Sequence, residues 1–265
     1  MPALPTLPSN IIILMEMLRD TRTPASEAIQ RIEQDQVLSA RVLKLVNSSY
    51  YSTAYGVASI AHAVALLGYE EIWKLVVGSA AMELISANDL NLWLHSYTSS
   101  ILMKELIEAE GINCSSKIQL TMLMHDIGKI VLLNYNLEAY RKVQDSSIED
   151  STMAHTVEEA QLGVNHAEVG SWLLESWALD EEQVLPIAQH HCTALPDLYA
   201  TESILIKLVD YLDHAARGHH YPPPEVEELE SIGLGDLDQE RWLQQHQARI
   251  SELNLSDQPQ ARTSD

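Results

Sequence analysis

The stretch Met122 to Leu133, MLMHDIGKIVLL, sets a histidine, an aspartate and a lysine inside an otherwise apolar run. A helix built from that run buries it, and a buried charge needs a partner of opposite charge or a metal ion. The chain therefore has to fold so that distant stretches bring other polar groups to this one.

The remainder reads as helix after helix. Pro8 and Ser9 precede the apolar run IIILMEML. Leu38, Val42, Leu45 and Val46 recur at helical spacing, and so do Ile72, Leu75 and Val76. Thr23 then Pro24 predicts an N-cap followed by a proline at the first helical position. Ser59 caps a helix that Gly68 stops, and Asn88 and Asp89 open a long helix that Gly111 ends. A helix from Ser116 runs into His125–Asp126 and is interrupted near Gly128. Thr156 with Glu159, and Asn165 with Glu168, have capping-box spacing, with Gly163 breaking the chain between them. Asp180 opens a helix leading to His190–His191, which Pro186 either kinks or delays. Thr201 to Ala216 makes another. No apolar–polar alternation is long enough for a strand, so the expected fold class is all-α.

At 265 residues the chain makes one large domain or two small lobes. The clearest linker is His219 to Pro224, HHYPPP. The segment after it is acidic, and its middle, Asp236 to Leu253, has the spacing of an amphipathic helix using Leu237, Trp242 and Ile250. The last ten residues read as frayed.

Sixteen Lys plus Arg against 38 Asp plus Glu give a net charge of −22. Such a chain repels a phosphate backbone and an anionic membrane surface, so neither nucleic acid nor membrane is an expected partner. The 2 cysteines, Cys114 and Cys192, form no framework and no CxxC, which fits structural thiols in a reducing cytosol. The start MPALPTLPSN lacks a basic region before its apolar run, so no signal peptide is expected. Leu45 to Tyr69 is too polar for a span. The expected location is the cytoplasm.

His95, His125, Asp126, His166, His190, His191 and Asp210 each fall on a predicted helix or at a helix end. His125 and Asp126 project about 100° apart on a continuous helix, so both reach one ion only from the side of a groove. With His95 and Asp210 from two other helices they make an N₂O₂ set suited to Mn²⁺, Fe, Ni²⁺, Zn²⁺ or Mg²⁺. His166, His190 and His191 would supply ligands for a second ion, and an ion pair could hold a phosphoryl oxygen and activate a bridging water. Lys129, three residues after Asp126, lies on the same face and could neutralise a phosphate. The alternative is a buried network in which the aspartates orient neutral histidines with no ion present. His62, His155, His214, His219, His220 and His246 lack such context. His62 reads as a surface or core-edge residue, His155 as preceding a cap, and the others as solvated.

Several segments together resemble the HDOD family, the HD-related output domains of bacterial signalling proteins. These are LPTLP at Leu4–Pro8, DQVLSARVLKLVNSSYY at Asp35–Tyr51, and SIAHAVALLG at Ser59–Gly68. Further on come WLHS around His95, HDIGK at His125–Lys129, HAEVG from His166, and the pair His190–His191. Asp210 falls where the wider HD superfamily has its last aspartate. The resemblance covers about residues 3–215. It implies an N-terminal helical lobe, residues 1–88, packed on an HD-phosphohydrolase-like lobe, residues 89–218, with 219–265 as an acidic extension. It also implies the same ordered ligand set as the related HD-GYP phosphodiesterases. The chain departs from those enzymes where Cys192 follows the double histidine and no GYP occurs. Asn91 stands where some relatives place a glutamate ligand.

Two functions from different classes follow. The first is a non-catalytic regulatory domain that signals to a protein partner by contact, with a metal site holding the HD-like lobe. Tyr50, Tyr51, Tyr55 and the acidic tail are its candidate surfaces. The second is a metal-dependent phosphohydrolase acting on a nucleotide or other phosphoester, with Lys129 as the catalytic cation.

Overall fold

The computed structural model describes residues 11–14, 17, 23–47, 56–69, 71–72, 74–76, 78, 90–149, 153–195 and 198–256. Among them every regular element is a helix. They fall into two compact units, one within residues 5–86 and one within 87–265. The expectations placed on Leu4–Pro8, Asn88, Asp89 and the tyrosines at 50, 51 and 55 lie outside the described residues.

The first unit contains α1 (Ala25–Gln34), α2 (Gln36–Val46) and α3 (Ile60–Leu67). Pro24 is itself the cap residue of α1, one position earlier in the helix frame than its N1 preference suggests. Asp35 accepts from Leu38 N at 3.0 Å and so caps α2. Asn47 ends α2 by imitating a backbone: its amide donates to Val57 O at 2.8 Å and accepts from Val57 N at 2.7 Å. Ser59 caps α3 through His62 N, and Gly68 ends it. Ala28, Ile32, Val42, Val46, Ile60 and Ala63 are buried between these helices.

The second unit contains α4 (Leu90–Glu110), α5 (Ile118–Met124), α6 (Ile127–Tyr135), α7 (Leu137–Glu149) and α8 (Ala154–Leu162). It continues with α9 (His166–Ser176), α10 (Glu181–Gln189), α11 (Ala200–Ala216), α12 (Val226–Ser231) and α13 (Gln239–Ser256). Gly111, at φ 66°, ends α4 as expected. Asn165 and Glu168 form the expected reciprocal cap on α9. Thr156 and Glu159 do not form one. Helix α8 starts three residues earlier, after Met153, so the Thr156 N–H already bonds to Met153 O at 3.0 Å. Helix α10 begins at Glu181 and holds Pro186 inside it, so the proline does not delay the start.

One crossing positions the chemistry. Helices α6 and α9 meet through Gly128 and Gly170. A Cβ on Gly128 would stand 1.9 Å from His166 O and 2.7 Å from Gly170 N. Only a residue without a side chain permits this approach, which brings the start of α9 against the start of α6. A second core joins α4, α5 and α11 through Leu102, Met103, Leu106, Met122, Leu205 and Leu208. Leu229, Leu234 and Trp242 of the acidic segment are buried in that same core.

Candidate metal centre

His125 and Asp126 sit at a break between two helices. His125 is the last residue against α5, and Asp126 is the cap residue of α6, with φ −98° and ψ 8°. The interruption therefore falls two residues before Gly128, and it removes the angular separation that a continuous helix would impose on the pair. His125 Nε2 lies 3.6 Å from Asp126 Oδ2. His95 arrives from α4 and Asp210 from α11. His95 Nε2 lies 3.2 Å from His125 Nε2, 3.4 Å from Asp126 Oδ2 and 3.2 Å from Asp210 Oδ1. His125 Nε2 lies 3.4 Å from Asp210 Oδ1. Ligand atoms about 2.1 Å from a single ion stand about 3.0 Å apart at right angles and about 3.4 Å apart at tetrahedral angles. The atoms of His95, His125 and Asp210 thus have the mutual spacing of one coordination sphere, and Asp126 Oδ2 stands within 3.6 Å of both histidines.

The second group stands beside the first. His166, His190 and His191 can each turn one ring nitrogen to a common point, all within 4.8 Å of one another. His166 Nε2 is 2.9 Å from His191 Nε2 and 3.2 Å from Asp126 Oδ1. Asp126 therefore faces both groups, one oxygen to each.

The opposite ring nitrogens are held from behind. His125 Nδ1 donates to Met122 O at 2.8 Å, and His190 Nδ1 donates to Ile187 O at 2.6 Å. Each histidine ends a helix and bonds to the carbonyl three residues back, which aims Nε2 inward. His95 Nδ1 donates to Asp213 at 2.7 Å, and His166 Nδ1 donates to Glu158 at 2.6 Å. Such partners fix the tautomer and raise ligand basicity. On the inner side, Asp126 Oδ1, Asp210 Oδ1 and His190 Nε2 are buried without a well-aligned hydrogen bond among the described residues, the two carboxylate oxygens having histidine nitrogens at 3.2 Å beside them. A network without an ion would align its donors on these atoms more closely. Poorly aligned and turned inward, they fit a divalent cation.

Charges in the pocket are strongly coupled. Burial disfavours ionised Asp126 and Asp210, but for Asp126 the neighbours His125, Lys129 and His166, and for Asp210 the neighbours His214, His125 and His95, hold both carboxyls well below the usual range. Burial pulls His95 down, yet Asp213, Asp210 and Asp126 outweigh it and raise the ring to about 10. His190 goes the other way, to about 3, through burial and the nearby His166 and His125. Lys129 Nζ donates to Asp126 Oδ2 at 2.6 Å, so its ammonium is spent on that carboxylate. Asn91 is exposed, while His95 one turn later is buried.

The HDOD domain model matches residues 4–193. The chain belongs to the HDOD domain family. An HDOD domain protein of unknown function from Geobacter sulfurreducens is 26% identical, with a TM-score of 0.73 over 96% of this chain and 90% of that one. A Shewanella amazonensis protein whose name proposes a phosphohydrolase is 21% identical, with a TM-score of 0.75 over 95% of this chain and 93% of that one. A Marinobacter aquaeolei protein whose name proposes a role in signal transduction is 19% identical, with a TM-score of 0.81 over 96% of this chain and 59% of that one. The last two likenesses show the fold. An uncharacterized relative from Treponema pallidum is 25% identical over 192 residues, which is 71% of this chain and 37% of that protein. The HDOD chain thus spans well under half of that relative's length. No helix among the described residues is long and apolar enough to cross a membrane.

The sequence reading of this HDOD domain missed the residues that support the candidate ligands. Asp213 and Glu158 are buried acids, and neither stands in a motif. Tyr221, placed in a linker, donates its hydroxyl to Asp210 Oδ2 and stacks on His214 at 4.5 Å between ring centroids. His214 is half-buried, with Nε2 3.5 Å from Asp210 Oδ1. His155 is half-buried and stacks on His191 at 4.1 Å. His246, expected in solvent, is 2% exposed. The signal for it was present, because Trp242 and His246 lie one turn apart on the same helix face.

Proposed function

We propose that this HDOD domain is a regulatory signalling module that holds one or two divalent ions and acts on a protein partner by contact. The observation that carries the reading is the closure of the centre, where only His191 of the seven candidate ligands is half-buried. His125 is 0% exposed, Asp126, His166 and His190 are each 1%, Asp210 is 2% and His95 is 6%. A phosphoester needs open coordination positions and a cation free to meet it. Here Lys129 is paired with Asp126, and the Tyr221 hydroxyl covers one oxygen of Asp210. An ion held this way ties α4, the α5–α6 break and α11 together, which suits a structural or sensing role. The family and the named signalling relative supply the context.

The second reading, a metal-dependent phosphohydrolase, is favoured by one observation. Asp126 offers one oxygen to each histidine group, as a carboxylate bridging two ions would. The ions would supply Lewis acidity and an activated water. Asp126 and the histidines would hold them, and Lys129 would have to leave Asp126 to meet a phosphoryl group.

Metal content and turnover separate the two. The purified protein is analysed for bound metal, then assayed on a panel of phosphoesters with Mn²⁺, Fe²⁺ and Mg²⁺, and again as His125→Ala and Asp126→Ala. Bound metal without turnover is the expected result. Turnover lost in both variants would transfer the assignment to the hydrolase.

A further inference from the structure

The family match ends at residue 193, yet the groups behind the centre are completed by residues well beyond it. Asp213 is their hub. Its Oδ2 accepts from His95 Nδ1 at 2.7 Å and from Arg217 Nε at 2.6 Å. Its Oδ1 accepts from Thr98 Oγ1 at 2.6 Å and from His246 Nε2 at 2.7 Å. His246 belongs to α13, in the segment after the HHYPPP linker. That helix is anchored. Trp242 is 3% exposed in the core shared with α11, and its Nε1 donates to Glu110 Oε1 on α4 at 3.0 Å. Lys207 of α11 pairs with Glu228 of α12.

We propose that the segment after Gly218 is a working part of the metal centre. In it His246 is a positioning residue that fixes His95 through Asp213, and Tyr221 is one that fixes Asp210. This rests on reading His95 and Asp210 as metal ligands. The physical reason is orientation. A carboxylate aims an imidazole only if its own rotation is stopped, and donors on both oxygens stop it. Without His246, Oδ1 of Asp213 keeps Thr98 and the longer contact to Arg217 Nη2 at 3.3 Å. Oδ1 is then held by one short bond instead of two, so Asp213 and the His95 ring it aims are fixed less firmly. Tyr221 does the same for Asp210 by holding Oδ2, which leaves Oδ1 toward His95 and His125.

The test uses the full chain and Co²⁺, whose visible absorption reports ligand geometry. Affinity is measured by chelator competition for wild type, His246→Ala, His246→Gln and Tyr221→Phe. Each variant is first checked for helical content by circular dichroism without metal. The expected result is an affinity about tenfold lower and a shifted spectrum for His246→Ala and Tyr221→Phe. The glutamine variant, which restores an N–H donor, should recover most of the affinity. A folded His246→Ala protein with wild-type affinity and spectrum overturns the proposal. Should the alanine variant not fold, Tyr221→Phe decides on the same two measurements. Failure of the metal reading itself would look different, because the wild-type chain would then bind no Co²⁺ at all.

Discussion

Asp126 and His166 meet across the α6–α9 crossing, with Asp126 Oδ1 3.2 Å from His166 Nε2, while the other oxygen of the same carboxylate faces His95 and Lys129. One side chain thus serves two histidine groups, whereas Asp210 serves only the group of His95 and His125. Asp126→Asn should therefore abolish tight binding at both positions, and Asp210→Ala should remove one ion and leave the other. Metal stoichiometry by mass spectrometry under native conditions reads the difference. Equal stoichiometry in the two variants would break the bridging assignment.

Gly128→Ala tests the crossing. The added methyl meets backbone, at 1.9 Å from His166 O and 2.7 Å from Gly170 N, so no side-chain rotation relieves it. The helices must separate, at a cost of at least about 1–3 kcal/mol. Gly170→Ala meets its nearest backbone atom at 3.3 Å and should cost less. Urea denaturation of both variants checks the order, and an unchanged midpoint for Gly128→Ala would refute the argument.

Metal binding should release a proton near neutral pH. Without an ion His95 stays protonated up to about 10, while His190, at about 3, is already neutral. An incoming cation must displace the His95 Nε2 proton, since Nδ1 stays bonded to Asp213. Calorimetry at pH 7 in buffers of differing ionisation enthalpy should show about one proton released. A binding enthalpy independent of buffer would contradict this.

The metal-free protein should be most stable near pH 6.5. The His190 ring is held at about 3, below its ordinary 6.5, so the unfolded chain binds more protons between those values and stability falls on acidification. For Glu158, burial pushes the carboxyl up, but His166 and Lys129 bring it to about 2 from 4.5, so it adds to the loss below pH 4.5. His95, raised from 6.5 to about 10, favours the folded state below 6.5 and loses that contribution as pH climbs toward 10. Melting temperatures in chelator across pH 4–10 should trace a maximum, and a steady rise toward either end would be incompatible with these three groups.

The ligand candidates were legible because charge inside an apolar helix is conspicuous, and because HDIGK, HAEVG and the double histidine are short ordered motifs. The helix caps at Ser59 and Asn165 were legible for the same reason: their chemistry is local. What the residues did not reveal was decided by distant packing. The break at His125–Asp126 comes two residues early because the α6–α9 crossing needs Gly128 inside a helix rather than at a bend. Glu158 and Asp213 carry no sequence mark, since their role depends on which ring lies across from them. Tyr221 was hidden by its proline-rich surroundings.

The buried face of α13 gives the tail a one-sided tolerance for change. Gln244, Gln245 and Gln247 are exposed, so replacing them should cost little, whereas Trp242 and His246 are buried and their truncation should cost stability. A chain cut before α13 would take from Asp213 Oδ1 the His246 donor that this buried face delivers.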